Sequence, residues 1–402
     1  MRDYKGFHVV RSEENTGTSG TEKKGSFKLQ IAKHRLVVGI RILAVAAVII
    51  LIVWLLVTQY RNQIYTDMTV SSSSEKISLE NNSYLSNNGS VITYSRDGIS
   101  GTDGTGKVLW NLTYEMQKPI VHQTDGIVAV CDYNGHIIYM IGQGGKVTEI
   151  DTNLPIHDFS VSKEERIAVI LEDSSNSWVN LYDAGGAKIV EIKATMTKTG
   201  YPLAVALSGE VMGVSYFYVD GDSMRNSVTF YNFGGIGENT SDHIVSSYDY
   251  ADAVVPILGF MNSETAFALA DNRLMFFTGS KKPVSSSDTL INENIVGAYY
   301  GDTGIGLIFY DTSGENKYRL DLYDTSGKKQ MSYAFDIDFK DILIHRGQIF
   351  IYNEDQCIVL DSNGKEKYSG FFDNKVLNIS TTDSNKRYIA VTRTSIETID
   401  FE

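Results

Sequence analysis

The chain has 402 residues, with 24 Tyr, 17 Phe and 35 Gly but only 5 Pro, a composition that favours many strands and tight turns over helices. Its formal net charge of −13 argues against a nucleic-acid-binding function, because binding a polyanion needs basic patches that release counterions. The excess of basic residues lies before residue 58, so the remainder of the chain is the acidic part.

The N-terminal part predicts a membrane anchor. Residues 1–35 are polar and then basic, with Lys28, Lys33 and Arg35, and predict a disordered tail. Residues 36–58 are apolar except for Arg41 and as a helix would span about 34 Å, enough to cross a bilayer. Since no small-x-small cleavage site follows, a signal anchor is favoured over a cleaved signal peptide.

The flanking charges predict the topology of this anchor. Basic residues crowd the N-terminal side of the apolar run, so residues 1–35 are expected to be cytoplasmic. The chain is then a single-pass protein of a bacterial cell membrane, with its C-terminal domain extracellular. Residues 59–74 predict a stalk, and residues 75–402 the extracytoplasmic domain.

A recurring turn organises the rest of the chain. It occurs at residues 103–107, 144–146, 183–188, 324–328 and 361–365, usually with Asp first, Gly in the middle and Lys last, and follows an apolar run each time. The spacing fits one unit of roughly 37 to 47 residues, with a degenerate copy at 231–235. A hairpin unit repeated at this period predicts an all-β fold, the β-propeller.

The hairpins predict the number of blades. Eight hairpins are predicted, each made of the second and third strands of a blade. The second strands lie near residues 91–95, 127–132, 167–171, 211–217, 265–269, 306–310, 349–352 and 388–392. Eight blades are therefore predicted, with seven as the alternative. The last unit stops at Glu402 before an outer strand, so residues near 64–72 are expected to supply that strand.

Few residues of the repeats are candidates for catalysis or for binding a metal or cofactor. The turn aspartates are interpreted as turn formers, because Asp can accept a hydrogen bond from the backbone two residues on. Cys131 and Cys357 belong to different units and are interpreted as small buried hydrophobes. The histidines are scattered, so neither a metal site nor a cofactor is predicted.

Residues 99–110, Ile-Ser-Gly-Thr-Asp-Gly-Thr-Gly-Lys-Val-Leu-Trp, resemble the repeat of the PQQ-like, quinoprotein-type β-propellers, in which D-x-x-x-G-K-x-x-W ends each blade. The resemblance implies that Trp110 docks one blade on the next; the other units lack this Trp. The plan of basic tail, single span and degenerate propeller also resembles a bacterial family of membrane-anchored propeller proteins.

Three functions follow from this plan. A quinoprotein-like dehydrogenase would need PQQ, Ca²⁺ and, as the family implies, commonly a vicinal Cys pair, which the chain lacks; a propeller lyase with dispersed residues is a second enzymatic alternative. A transmembrane sensor would need an output domain, and residues 1–35 resemble none. A non-catalytic binding or assembly scaffold at the cell envelope is therefore predicted, with the bilayer and a protein or cell-wall component as partners.

The predicted binding surface is acidic. Three loops between second and third strands look longest, and the connection around residue 250 should emerge beside them, since loops on a rigid scaffold often carry function. The candidate face, which would bind a cationic partner or remain plain solvated surface, comprises Glu172, Asp173, Asp220, Asp222, Tyr248, Asp249, Tyr250, Asp252, Asp311 and Glu315.

Overall fold

The computed structural model describes residues 22–61, 63–75, 82–87, 89–124, 126–196, 199–240 and 242–402. The chain divides into two compact units, Met1–Gln63 and Ile64–Glu402.

The first unit contains one long helix, α1 (Glu22–Arg61). Within it, Ile31–Leu55 is a stretch of 25 residues with mean hydropathy 3.1, which makes it a candidate transmembrane span. The helix begins before the predicted span because Lys, Gln, Leu and Ala between residues 22 and 35 are good helix formers. Residues 22–35, predicted as part of a disordered tail, are therefore helical, and residues 1–21 lie outside the described residues.

The described residues of the second unit form eight antiparallel sheets of four strands each. The protein is thus an all-β, eight-bladed propeller preceded by one apolar helix, as the repeat spacing predicts. Blades 1 to 7 take their four strands consecutively from the chain, and the first strands of several neighbouring blades contact one another, as in blades 2 to 5. These first strands line the central channel.

The strands of blades 1 to 4 are, in chain order, β2 (Ser83–Asn87), β3 (Ser90–Tyr94), β4 (Gly98–Asp103), β5 (Val108–Thr113); β6 (Pro119–Thr124), β7 (Ile127–Asp132), β8 (Ile137–Ile141), β9 (Val147–Asp151); β10 (Ile156–Val161), β11 (Ile167–Glu172), β12 (Ser177–Tyr182), β13 (Lys188–Ala194); β14 (Tyr201–Ser208), β15 (Val211–Asp220), β16 (Ser223–Asn232), β17 (Ile244–Ala251).

The strands of blades 5 to 7 are β18 (Ile257–Phe260), β19 (Thr265–Leu269), β20 (Arg273–Thr278), β21 (Val284–Leu290); β22 (Gly297–Gly301), β23 (Gly304–Tyr310), β24 (Tyr318–Asp324), β25 (Lys329–Phe335); β26 (Asp341–His345), β27 (Gln348–Tyr352), β28 (Gln356–Asp361), β29 (Glu366–Phe371). Two short 3₁₀ helices lie in third-to-fourth-strand connections, at Gln143–Gly145 and Gly237–Asn239.

Blade 8 closes the ring with strands from both ends of the second unit. It contains β30 (Val376–Thr381), β31 (Arg387–Thr392) and β32 (Ser395–Phe401), and its outer strand is β1 (Met68–Glu75). β1 pairs antiparallel with β32 from Met68 opposite Phe401 to Glu75 opposite Ser395. The segment predicted as a stalk therefore includes this outer strand, because pairing with β32 satisfies an edge that would otherwise be open.

The core lies between the blades. Eight clusters of buried apolar side chains occur among the described residues, one at each interface between neighbouring blades. The second and third strands supply most of these residues; Ile127–Cys131 and Ile167–Leu171, for example, are buried throughout. Such unbroken apolar runs are expected for strands that are covered on both faces.

The recurring turn has a defined geometry. The Asp103 carboxylate accepts backbone N–H bonds from Thr105 (2.9 Å) and Lys107 (3.0 Å), and Asp183, Asp324 and Asp361 accept bonds from the same two positions of their own turns. These bonds confirm the interpretation of the aspartates as turn formers. The second bond, from the backbone N–H four residues after each Asp, was not part of that interpretation.

The turn glycine has two reasons to lack a side chain. Gly145 has φ 81°, where a Cβ is strained, and a Cβ there would lie 2.7 Å from Cβ of Trp110 on the preceding blade. The turn of one blade thus packs against the outer strand of the blade before it, which explains why the glycine recurs.

Candidate functional site

The two faces of the propeller differ in charge. Because each blade is an antiparallel meander, the connections after its second and fourth strands share one face, here the upper face. The other connections form the lower face.

On the upper face, acidic residues of the described connections clearly outnumber basic ones: Asp97, Glu115, Asp173, Asp222, Asp252, Asp271, Glu293, Asp311, Glu315, Asp336, Asp338, Glu354, Asp355 and Asp373 against Arg96, Lys118, Lys317, Lys340, Lys375 and Arg393. On the lower face the two kinds balance: Glu164, Glu165, Asp183, Glu210, Glu238, Asp242, Glu264, Asp302 and Asp383 against Lys107, Lys146, Lys163, Arg166, Lys281, Lys282, Lys328, Arg346, Lys365 and Lys386.

On blade 3, Glu172 belongs to a polar cluster. Its carboxylate accepts a 2.7 Å bond from the Tyr201 hydroxyl and lies 3.9 Å from Nδ1 of His157, which is 3.4 Å from the Tyr133 hydroxyl. Burial and then the Glu172 carboxylate raise the pKa of Tyr201. The predicted residue Glu172 is thus fixed by neighbours that the sequence pattern did not identify.

The adjacent Asp173 forms the turn after β11. Its carboxylate accepts backbone N–H bonds from Ser175 (2.7 Å) and Asn176 (2.8 Å), which hold its pKa below the usual value, that from Ser175 most strongly. This carboxylate is therefore occupied in shaping the turn.

On blade 4, β15 and β16 form a hairpin of two ten-residue strands. The segment 220–225, predicted to be a long loop, is instead the end of this hairpin. The run Tyr216–Val219 has high β-propensity, and Gly221 with φ 62° supplies the first central position of a two-residue turn. The hairpin extends beyond the last partners in β14 and β17, which are Tyr201 and Ala251.

The carboxylates of this hairpin differ in their contacts. Asp220 lies 3.5 Å from Nη1 of Arg225, and Asp249 on β17 accepts a 3.0 Å bond from the Tyr218 hydroxyl. Burial and then this bond raise the pKa of Tyr218. Asp222, at the turn, is exposed.

The two tyrosines of the predicted face lie elsewhere. Tyr250 is only 8% exposed, in the core between blades 4 and 5, with the Arg273 guanidinium 5.5 Å from its ring centre. The Tyr248 hydroxyl donates to Pro283 O (3.2 Å) and accepts from Ser285 N (3.1 Å) on blade 5. Both rings dock blade 4 on blade 5, because alternation along β17 turns them towards that neighbour.

The remaining predicted residues are at the rim of the upper face. Asp252 is exposed and has a left-handed backbone, with φ 52°. On blade 6, Asp311 accepts a bond from the Ser313 hydroxyl, the main reason why its pKa is lowered, and Glu315 is exposed. The structure thus brings Glu172, Asp173, Asp220, Asp222, Asp249 and Asp252 onto the neighbouring blades 3 and 4, with Asp311 and Glu315 two blades further round.

The central channel contains a pair of ionisable groups that the sequence analysis missed. Nε2 of His122 on β6 lies 3.5 Å from Oδ1 of Asp158 on β10, and the two side chains are 41% and 35% exposed. Removal from bulk water lowers the pKa of His122, against the effect of Asp158, and raises the pKa of Asp158, against the effect of His122. Both residues lie on the first strands of their blades, β6 and β10, so a sequence analysis that placed first strands beside the channel would have identified them.

Trp110 lies at a contact between blades. It is half-buried on β5 and packs in the core between blades 1 and 2, against Gly101 and Gly145. This is the place that a blade-docking Trp would occupy.

The thiols and metal-ligating side chains form no further site in the described residues. Cys131 and Cys357 are free and buried, which confirms their interpretation as core residues, and burial raises the pKa of both thiols. Among the described residues, no three His, Cys, Asp or Glu side chains come close enough to hold a metal ion.

Known proteins share this architecture. A family model described as a family of unknown function (DUF5711) matches residues 60–401, and the chain belongs to that family. No curated protein matches the chain.

Two solved structures are similar in fold. BamB from Moraxella catarrhalis has 13% identity and a TM-score of 0.50, covering 83% of this chain and 100% of that chain. Apo AztD from Citrobacter koseri has 15% identity and a TM-score of 0.52, covering 75% of this chain and 88% of that chain. At these identities the likeness concerns the propeller fold.

Proposed function

We propose that this member of the DUF5711 family is a non-catalytic binding or assembly scaffold at the cell envelope, whose upper face docks a cationic protein or cell-wall partner. The observation that carries the proposal is the acidic excess on the upper face, beside a lower face of balanced charge. A charged surface steers an oppositely charged partner and fixes its orientation.

Membrane anchoring is the second part of the proposal. Residues 36–58 span the membrane, residues 1–35 are cytoplasmic and the propeller is outside the cell. The apolar stretch Ile31–Leu55 supports this arrangement through its length and hydropathy, and the basic residues before it support the orientation. The anchor would then hold the propeller at the membrane surface.

The docking region is centred on blades 3 and 4. There the hairpin β15–β16 extends beyond its neighbours, and its exposed Val219 and Met224 lie opposite each other. Apolar side chains surrounded by charged groups are typical of interface centres with polar rims. Asp222 and Asp252 provide exposed carboxylates in this region.

An enzymatic function has less support. A quinoprotein-like dehydrogenase would hold PQQ and Ca²⁺ in the channel, and Ca²⁺ takes six to eight oxygen ligands. Among the described residues, the cavity in the channel has one carboxylate, Asp158, in its lining. We therefore place binding before catalysis, and binding before signalling, since no output domain is evident in residues 1–35.

Site-specific photo-crosslinking in intact cells tests the docking face. A photoreactive residue at Asp222 on the upper face is expected to crosslink one discrete partner, whereas the same residue at Asn363, exposed in a lower-face turn, is not. The crosslink should weaken as salt rises towards about 0.5 M, where the screening length is roughly 4 Å. Equal crosslinking from both faces, or a yield indifferent to salt, would contradict an acidic docking face.

Changing the carboxylates tests the same face without a crosslinker. Replacing Asp220, Asp222, Asp249 and Asp252 together with Asn is expected to abolish capture of that partner and leave the unfolding temperature within about 2 °C, because surface substitutions change stability little. A matched quadruple change on the lower face, Glu164, Glu165, Glu238 and Glu264 to Gln, should leave capture intact. Capture that survives the upper-face change would show that the acidic residues only solvate the surface.

A further inference from the structure

The central channel contains a partly open cavity that the docking proposal does not use. First strands of blades 2 to 6 and the residue before β18 line a cavity of about 340 Å³, within the range of small-molecule sites, about 300–1,000 Å³. Its lining is mixed: His122, Asp158 and Tyr300 bring ionisable groups, whereas Ala204, Leu258 and Phe260 are apolar. The wall of the cavity therefore exposes more polar than apolar surface.

The local backbone aims Asp158 into this space. The pairing of β10 with β11 shifts by one residue between Ile156 and Asp158, and such a bulge redirects the side chains that follow it. The Asp158 carboxylate also accepts a 2.8 Å bond from Phe159 N, which fixes its position. It remains 35% exposed, so a ligand can reach it.

The cavity has an uncompensated negative charge. Among the described residues, its lining contains one carboxylate and neither Lys nor Arg, and the basic side chain there is His122, whose pKa is lowered by removal from water. At neutral pH Asp158 is therefore left without a fixed cation. A partly buried carboxylate in this situation favours a cationic ligand, since an unpaired charge in a low-dielectric site is costly.

We propose that the channel binds a small organic ammonium ion, held by the Asp158 carboxylate and covered by the ring of Tyr300. Tyr300 lines the cavity, is 54% exposed and is fixed by packing on Phe267, with ring centres 4.8 Å apart. A cation over such a ring is attracted by its π face. Thr124 and Ser160, also in the lining, add hydroxyl oxygens for the remaining ammonium hydrogens.

The ligand set favours an ammonium ion over a divalent metal. Ca²⁺ takes six to eight oxygen ligands and Mg²⁺ demands octahedral geometry, whereas an ammonium group has three hydrogens to donate. One carboxylate with two hydroxyl groups matches the smaller requirement. This agrees with the finding that no metal-ligating cluster occurs in the described residues.

His122 makes the binding depend on pH. Four ionisable groups interact electrostatically with Asp158. They are His122 on β6, Cys131 on β7, Tyr300 on β22 and His157 on the same strand as Asp158. Of these, His122 competes with the ligand, because its protonated ring would neutralise Asp158. Acidification also protonates Asp158 itself, whose pKa is raised by burial, so both changes weaken binding as the pH falls.

The test uses the full-length protein in nanodiscs of neutral phosphatidylcholine, so that anionic lipid does not bind the probe. Ligand-observed NMR titrations with n-butylammonium are expected to show saturable binding, whereas 1-butanol, its neutral analogue, should not bind. Asp158→Asn keeps the acceptor for Phe159 N and should weaken n-butylammonium at least about tenfold, the usual loss for a hydrogen bond to a charged group. Glu264→Gln, an exposed lower-face change, should leave binding unaltered.

The pH arm separates the two ionisable groups. Wild-type affinity should fall as the pH drops below about 6.5, the usual imidazole value, because the pKa of His122 is lowered from that value, and His122→Gln should reduce that fall. Equal affinity of Asp158→Asn and wild type, binding of 1-butanol as strong as that of n-butylammonium, or no saturable binding would overturn the proposal. Displacement of n-butylammonium by an equal concentration of Ca²⁺ would also overturn it, by identifying a metal site.

Discussion

Closure of the ring by the N-terminal strand should be the most sensitive element of the propeller to mutation. Tyr65, just before β1, is 5% exposed and its ring stacks on Phe401 at 5.4 Å. Its hydroxyl accepts a 2.7 Å bond from Nε2 of Gln348, whose Oε1 accepts a 3.0 Å bond from the Tyr388 hydroxyl. One side chain thus joins the N-terminal segment to blades 7 and 8.

The expected cost of Tyr65→Ala follows from this burial. Removing a buried aromatic ring costs about 3–5 kcal/mol, and unfolding about 340 residues, Ile64–Glu402, has an entropy of about 0.7 kcal/mol per kelvin at the usual value per residue. A loss of about 4 kcal/mol therefore lowers the unfolding midpoint by about 6 °C. Tyr65→Phe removes only the hydroxyl and should cost about 1–3 kcal/mol, or about 1–4 °C.

Circular dichroism at strand wavelengths on the full-length protein in detergent measures these midpoints. The matched control is Phe371→Ala, because Phe371 is an aromatic residue 73% exposed on the outer strand of blade 7, and its midpoint should shift by less than about 1 °C. A second variant replaces residues 68–75 with a Gly/Ser segment of equal length, which removes the side chains of β1 and should lower the midpoint further. If Tyr65→Ala melts like Phe371→Ala, closure through the N-terminal segment does not stabilise the ring.

Three further predictions follow. Protease added to intact cells should digest residues 59–402 and leave a small N-terminal fragment, and release of a soluble, N-terminally trimmed propeller would instead identify a cleaved signal sequence. Mixed with PQQ and Ca²⁺, the purified protein should show neither stoichiometric uptake nor dye-linked alcohol oxidation, and either activity would favour the enzymatic alternative. The pKa of Asp103 is lowered, chiefly by the hydrogen bond from the Thr105 hydroxyl. The stability that Asp103 contributes is therefore present above the unfolded-state pKa of about 3.9 and is lost as the pH falls through the lowered folded-state pKa. Thermal midpoints of wild type and Asp103→Asn should differ at pH 7 and converge near pH 2, and an undiminished difference at low pH would refute this.

The repeat made the architecture predictable. Asp, Gly and Lys recur at fixed places in the turn because the Asp carboxylate binds two backbone N–H groups and the Gly meets the preceding blade. Apolar runs on either side of each turn predicted the hairpins, and the missing last strand predicted closure from the N-terminal side. These are local signals, repeated in each unit, which is why they could be read without an alignment.

The candidate binding surface was less predictable because side-chain direction depends on tertiary packing. Tyr248 and Asp249 are adjacent in sequence, yet the first packs on blade 5 and the second is exposed. The sequence predicts a loop at the end of the long hairpin of blade 4, because the charged and glycine residues there resemble those of a turn. The pair His122–Asp158 joins strands of different blades, so its partners are set by ring geometry rather than by spacing in the sequence.

Aspartates that bind the backbone and aspartates that are exposed therefore have opposite consequences when they are changed. On the lower face, Asp183 and Asp361 each accept two backbone N–H bonds, so changing them removes turn bonds and lowers stability. On the upper face, Asp222 and Asp252 are exposed and have no side-chain partner among the described residues, so changing them removes charge at little structural cost. Folding stability therefore depends on Asp183 and Asp361 and gains little from Asp222 and Asp252. The proposed docking of a cationic partner would instead use the exposed carboxylates of Asp222 and Asp252.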